Sequence, residues 1–161
     1  MFSGPLEERL AMGERECMAC RTAAGDFAAE EVYRDDRVVA VVAQHAINPG
    51  HLVVVPVDHV RNALTMDEDL TAYLMIVAAR LAKRMRAVLG CPGVMLVLNN
   101  EAPCQTLFHA HLHVIPRYHG DEMDRTFGGL VPPESRAAVA ERFRTTSVHE
   151  EEQGGANGAG T

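Results

Sequence analysis

The sequence predicts an α+β domain in which an antiparallel five-stranded meander sheet is covered by one long helix. Three observations predict it. Short valine-rich runs are separated by turn signals, as strands of an antiparallel sheet are. A stretch of about twenty residues carries its apolar side chains at the helical period. Finally, His109-Ala110-His111-Leu112-His113-Val114-Ile115 alternates histidine with apolar residues. In a strand this alternation puts three imidazoles on one face and Ala110, Leu112 and Val114 on the other.

The elements follow in order. Residues 1–16 form a polar lead-in with helical character. A first strand lies around Glu31-Val32-Tyr33-Arg34, and Asp35-Asp36 is a turn. Arg37 to Val42 is a second strand by its β-branched content. Asn48-Pro49-Gly50 is a turn signal, and His51 to Pro56 is a third strand that proline ends. Thr65-Met66-Asp67-Glu68 has the pattern of a capping box. The helix behind it buries Leu70, Leu74, Val77, Leu81 and Met85, and Gly90 and Pro92 stop it. Gly93 to Leu98 is a fourth strand, and the histidine run is the fifth. Ala137 to Phe143 is a short helix within a C-terminal extension, residues 122–146. Residues 147–161 are acidic, then glycine-rich, and read as a disordered tail. The central domain spans 17–121.

Bulk properties narrow the function. The chain has 161 residues, 47% of them apolar, enough for one domain with a core. A net charge of −7 removes the broad basic footprint of a nucleic-acid binder, while a small nucleotide needs only a local phosphate cradle. The N-terminus lacks the regions of a secretory signal and no apolar stretch is membrane-length, so a cytoplasmic protein with no membrane partner is the simplest reading. In that compartment Cys17-Met18-Ala19-Cys20 is a metal or redox pair rather than half of a disulfide framework. Histidine titrates near neutral pH, so three on one face mark chemistry rather than packing.

The ordered motifs resemble the histidine triad (HIT) superfamily of nucleotide hydrolases and transferases. Its motif is His-x-His-x-His followed by two apolar residues, matched by His109 to Ile115. Cys17-x-x-Cys20, Asn48-Pro49-Gly50-His51, Pro56-Val57-Asp58-His59-Val60, Asn99-Asn100, Gln105-Thr106 and Pro116-Arg117-Tyr118-x-Gly120-Asp121 stand in matching order around it. The resemblance covers residues 17–121 and implies a HIT-like fold. It implies that His111 attacks the α-phosphorus of a nucleotide conjugate, such as a nucleoside phosphoramidate or a dinucleoside polyphosphate. A covalent nucleotidyl-histidine would form and then be hydrolysed. His113 would contact phosphate oxygens or the leaving group, Gln105 and Thr106 would donate to the phosphate, and Asn99 and His51 would line the site.

In a zinc-containing branch of the family, the matching ligands are Cys17, Cys20, His59 and His109, a closed set suited to structural zinc. No organic cofactor is implied. The usual assembly is a homodimer that pairs sheets and long helices. Three departures bear on specificity. Ala43 stands in a stretch (Ala43-Gln44-His45-Ala46) where relatives place an acid for the ribose. Cys104 replaces a glycine before Gln105. The loop from Asn99 to Gln105 is one residue short and contains Pro103. These changes favour an alternative, a nucleotide-binding or regulatory module with weak catalysis. A third reading is a catalytic metal held by all three triad histidines.

Overall fold

The computed structural model describes residues 17–121 and 129–146. The expectations for 1–16 and for the tail 147–161 lie outside the described residues. The elements are α1 (Met18–Ala24), β1 (Glu31–Arg34), β2 (Val38–Val42), β3 (His45–Ala46), β4 (Leu52–Pro56), α2 (Glu68–Leu89), β5 (Gly93–Leu98), β6 (Leu112–Arg117), β7 (Gly129–Leu130) and α3 (Pro133–Thr145).

The five-stranded antiparallel sheet is present, in the order β1-β2-β4-β6-β5. The order refines the expected meander. After α2 crosses the sheet, β5 lands at the far edge and β6 returns between β4 and β5. The histidine strand is thus flanked on both sides, with His113 opposite Val53 on β4 and Val97 on β5. Pairing on both sides restricts the movement of the strand and of the side chains it carries.

The sheet has two unlike faces. Under α2, Val38, Leu52, Val54, Leu112 and Val114 meet Leu74, Val77, Leu81 and Met85, all buried. The other face carries a smaller cluster in which Cys17, Ala19 and Ala23 of the α1 region meet Val39 and Val55. The alternation therefore holds: Ala110, Leu112 and Val114 enter the main core, and the histidines point away from it. The ladder itself begins only at Leu112, so His109 and His111 lie just before it.

Several local expectations change. The N-cap of α2 is Asp67, whose carboxylate accepts from the Leu70 amide at 2.7 Å. Thr65, expected to begin a capping box, instead donates its hydroxyl to the Asn62 carbonyl. Asp67 wins because an acid at the helix start also faces the positive end of the dipole. At the other end Gly90 adopts φ +68, the left-handed stop that the sequence predicts. The C-terminal helix is longer than Ala137 to Phe143, because Pro133 opens it in the first turn, where proline is favoured. Its Phe143 and Ala140 are fully buried against the main core. α1 and the β3–β7 ribbon carry no periodic signal of their own. Among the described residues no helix is long and apolar enough to cross a membrane.

Two turns hold the sheet. Gly50 has φ +93, a backbone conformation that favours glycine, and a Cβ there would also push aside the tip of the Leu89 side chain. At the β1–β2 turn, Asp35 accepts from the hydroxyls of Tyr33 (2.5 Å) and Tyr73 (2.6 Å) and from the amides of Arg37 and Val38 (both 2.8 Å). Tyr73 belongs to α2, so one carboxylate ties the helix to the turn. Burial pushes its pKa up, but the four donors outweigh burial and bring it down to about 2. The stabilisation is therefore complete above the ordinary carboxylate value near pH 4 and is lost as pH falls through about 2. We expect Asp35→Asn to lower unfolding free energy by about 1–2 kcal/mol at pH 7. Urea melts should also show a shallower loss between about pH 4 and pH 2 in the variant than in the wild type. Parallel pH curves would refute this role.

Candidate functional site

The sheet face away from α2 holds two adjoining clusters of side chains. The first joins Cys17, Cys20, His59 and His109. Cys17 is the N-cap of α1 and Cys20 lies one turn on, which turns both thiols to one side. His59 follows the end of β4, and His109 precedes β6. The four ligand atoms lie within 4.8 Å of one another. Cys20 Sγ stands 3.1 Å from His59 Nδ1 and 3.4 Å from His109 Nδ1, and Cys17 Sγ 3.5 Å from His109 Nδ1. Metal–ligand bonds of about 2.0–2.3 Å in a tetrahedron give edges of similar length, so the donor set fits zinc.

The ring orientation of His109 supports the fit. Its Nε2 lies 3.0 Å from the Pro56 carbonyl. A carbonyl only accepts, so Nε2 carries the proton and Nδ1 turns a lone pair toward the thiols. Cys17 and His109 are buried, and Cys20 and His59 are half-buried. Among the described residues this is the one group arranged to hold a metal, and it takes only His109 from the triad. A metal held by all three triad histidines is not what the geometry provides.

The second cluster joins His51, His111 and His113. His111 Nδ1 lies 2.7 Å from the His109 carbonyl, so Nδ1 carries the proton and Nε2 keeps a free lone pair. The Ile47 amide donates to His51 Nδ1 at 3.2 Å, which leaves the proton on His51 Nε2. That nitrogen lies 2.9 Å from His113 Nδ1, which must accept. Neutral His113 therefore carries its proton on Nε2. The rings of His111 and His113 meet edge to face, with centroids 4.9 Å apart. Burial, then the charge of His111, lowers the pKa of His51 to about 4; burial, then the charges of His111 and His51, lowers that of His113 to about 3. Burial also lowers the pKa of His111, against the opposing bond to the His109 carbonyl. The cluster is neutral at pH 7: one imidazole offers a lone pair and its neighbour offers an N–H.

The remaining predicted residues divide. Asn99 follows β5, half-buried, with no hydrogen bond to another described residue. Thr106 is exposed beside Gln105. Gln105 departs from its expected part. Its Nε2 donates to the carbonyls of Arg61 (2.6 Å) and Leu107 (2.9 Å), and its Oε1 accepts from the Glu101 amide (2.9 Å). A carboxamide so occupied holds the loop together and does not face a phosphate. The reason is its depth: at 2% exposure, its polar atoms need protein partners. Ala43 is buried and Cys104 is exposed.

Other polar residues brace the site and carry no local sequence signal. Asn48 Nδ2 donates to the Pro116 carbonyl and to Asp121, tying the turn before His51 to the end of β6. Arg61 and Asn62 reach Glu101, and the Ala63 amide donates to Asn100. These partners are 37 to 73 positions apart in the chain, beyond the reach of any motif.

The HIT domain family model matches residues 25–120. A HIT-like protein of Mesomycoplasma hyorhinis is 36% identical over 88 residues, which are 54% of this chain and 79% of that protein. A zinc-bound histidine triad family protein from Mycobacterium smegmatis superposes with a TM-score of 0.73 at 28% identity, covering 82% of this chain and 93% of that one. A Hit-like protein from Bartonella henselae, described as involved in cell-cycle regulation, superposes at 0.70 and 28% identity over 77% and 90%.

We expect the purified chain to carry one zinc, and Cys17→Ser to lose it together with several kcal/mol of stability, about the scale of structural zinc binding. Elemental analysis and thermal melts check this. Full metal content and an unchanged melt in the variant would remove the site.

Proposed function

The chain belongs to the HIT domain family, whose members include nucleotide hydrolases and transferases, and on that premise we propose that it cleaves nucleotide conjugates by attack of His111 on the α-phosphorus. The observation that carries the proposal is the tautomer assignment. His111 is a neutral imidazole with Nδ1–H held by a backbone carbonyl and Nε2 free to attack.

In the first step the Nε2–phosphorus bond forms and the bond from phosphorus to the leaving group breaks. The Nδ1–H of the now cationic His111 stays on the His109 carbonyl, which stabilises the developing positive charge. His113 Nε2–H is placed to donate to a phosphate oxygen or to the departing group, and His51 holds its tautomer. In the second step water attacks the phosphorus and gives up one proton, which restores the proton His113 Nε2 passed to the leaving group; the Nε2–phosphorus bond breaks, the nucleoside monophosphate leaves, and His111 Nε2 recovers its lone pair. Much of the work is positioning, because a phosphorus centre already carrying negative charge resists attack. Asn99 and Thr106 are assigned to the nucleotide side of the site. The metal set of Cys17, Cys20, His59 and His109 is assigned a structural role: zinc there would pin α1 and the end of β4 to the residue two before the nucleophile. No organic cofactor is invoked.

A second reading has one observation in its favour. Gln105 faces the loop instead of the phosphate, which suits a nucleotide-binding module with weak turnover. One assay separates the two. Incubated with adenosine phosphoramidate and with diadenosine polyphosphates, the wild type is expected to release AMP, and His111→Ala to be slower by at least about a thousandfold while folded. Equal release from both proteins would sink the nucleophile assignment. Tight AMP binding without turnover would favour the binding module.

We also infer a homodimer. Among the described residues β5 is a sheet edge with an unpaired side, and α2 exposes Met75 and Ile76 on its outer surface at 46% and 47%. Sedimentation is expected to show a dimer for the wild type and a monomer for Ile76→Glu. A monomeric wild type at micromolar concentration would overturn the assignment.

A further inference from the structure

In the loop from Asn99 to Gln105, Glu101 adopts φ +59, a conformation that side-chain-bearing residues seldom take. Its side chain is held from outside the loop. The Glu101 carboxylate receives two parallel bonds from Arg61, from Nε at 2.8 Å and Nη2 at 2.7 Å. A third comes from Asn62 Nδ2 at 2.5 Å, and Asn62 is fully buried. The Arg61 guanidinium also lies over the Phe108 ring, 4.6 Å from its centroid, and Phe108 precedes His109.

We propose that Arg61 and Glu101 are positioning residues for the reaction, forming a clamp that holds the loop 99–107 against the strand bearing His111. The clamp rests on the nucleotidyl-transfer reading above. Around it, the Ala110 amide donates to the Val60 carbonyl at 2.6 Å, the Ala63 amide to Asn100 Oδ1 at 2.8 Å, and Gln105 Nε2 to the Arg61 carbonyl at 2.6 Å. Glu101 in turn closes on Gln105 from both sides, amide to side chain and carbonyl to amide, each at 2.9 Å. Residues 59–63 therefore run from a metal ligand to the loop, and the loop runs to the nucleophile. Displacing that loop by a fraction of an ångström would displace a bound phosphate relative to His111 Nε2.

The clamp is not chiefly a stability device. Its two side chains are 35% and 41% exposed, and ion pairs so exposed contribute little to folding. Its value is the planar fork, which a lysine cannot reproduce. This separates positioning from mere structure. In the full chain, with its metal, E101Q and Arg61→Lys are each expected to lower kcat on adenosine phosphoramidate by about tenfold. KM should change by less than about threefold, with the thermal midpoint moved by no more than about 2 °C. Amide exchange at Gln105 should be faster in E101Q. Wild-type kcat in both variants would overturn the clamp, and so would a kcat loss matched by a large drop in the thermal midpoint. Should the wild type release no AMP, the hydrolase reading falls and the clamp is judged on AMP binding. Weaker binding by E101Q then upholds it, while equal binding by both proteins, or none by either, overturns it.

Discussion

Burial of Ala110, Leu112 and Val114 beneath α2 is the constraint from which the site follows. These three side chains are all but inaccessible to solvent, and a strand turns alternate residues to opposite faces. Once they are committed to the core, His109, His111 and His113 must face the other way. A one-residue slip would bury three imidazoles in an apolar core and expose the apolar set, so the register is strongly specified. The flanking strands β4 and β5 then hold the strand on both sides. Chemistry and packing are two faces of one stretch of chain.

Three identical side chains become three different groups through hydrogen bonds that trace to the backbone, directly for two of them and through His51 for the third. The Pro56 carbonyl takes the Nε2 proton of His109 and points Nδ1 at the thiols. The His109 carbonyl takes the Nδ1 proton of His111 and leaves Nε2 open. The Ile47 amide, acting through His51, leaves the proton of His113 on Nε2. Each assignment starts from a main-chain group whose donor or acceptor nature cannot change. Burial lowers the pKa values of His51, His111 and His113 and keeps the cluster neutral.

Much of this was legible in the residues. β5 runs from Gly93 to Leu98 as expected, and α2 ends at Leu89, just before Gly90. The four metal-type ligands, spread from Cys17 to His109, do converge. Other readings failed for identifiable reasons. Thr65 matched a capping pattern, but Asp67 stands where the helix begins and caps better. Gln105 matched a phosphate-contacting motif, but it lies buried, and its carboxamide is spent on the carbonyls of Arg61 and Leu107. The β3–β7 ribbon pairs His45 with Leu130, two segments with no strand pattern of their own.

What the sequence alone determined is what depends on neighbours along the chain: the period of β6 and α2, the turn at Gly50, the glycine stop at Gly90 and the types of residue at the site. Those features rest on local sterics and on apolar periodicity, which a short window contains. What only the tertiary structure decided is how polar groups far apart in the chain pair. Arg61 meets Glu101 forty residues on, Asn48 meets Asp121, and one carbonyl or amide selects the tautomer of each triad histidine. A hydrogen bond depends on distance and angle to within a few tenths of an ångström, and no pattern of residue types encodes that until the chain has closed on itself.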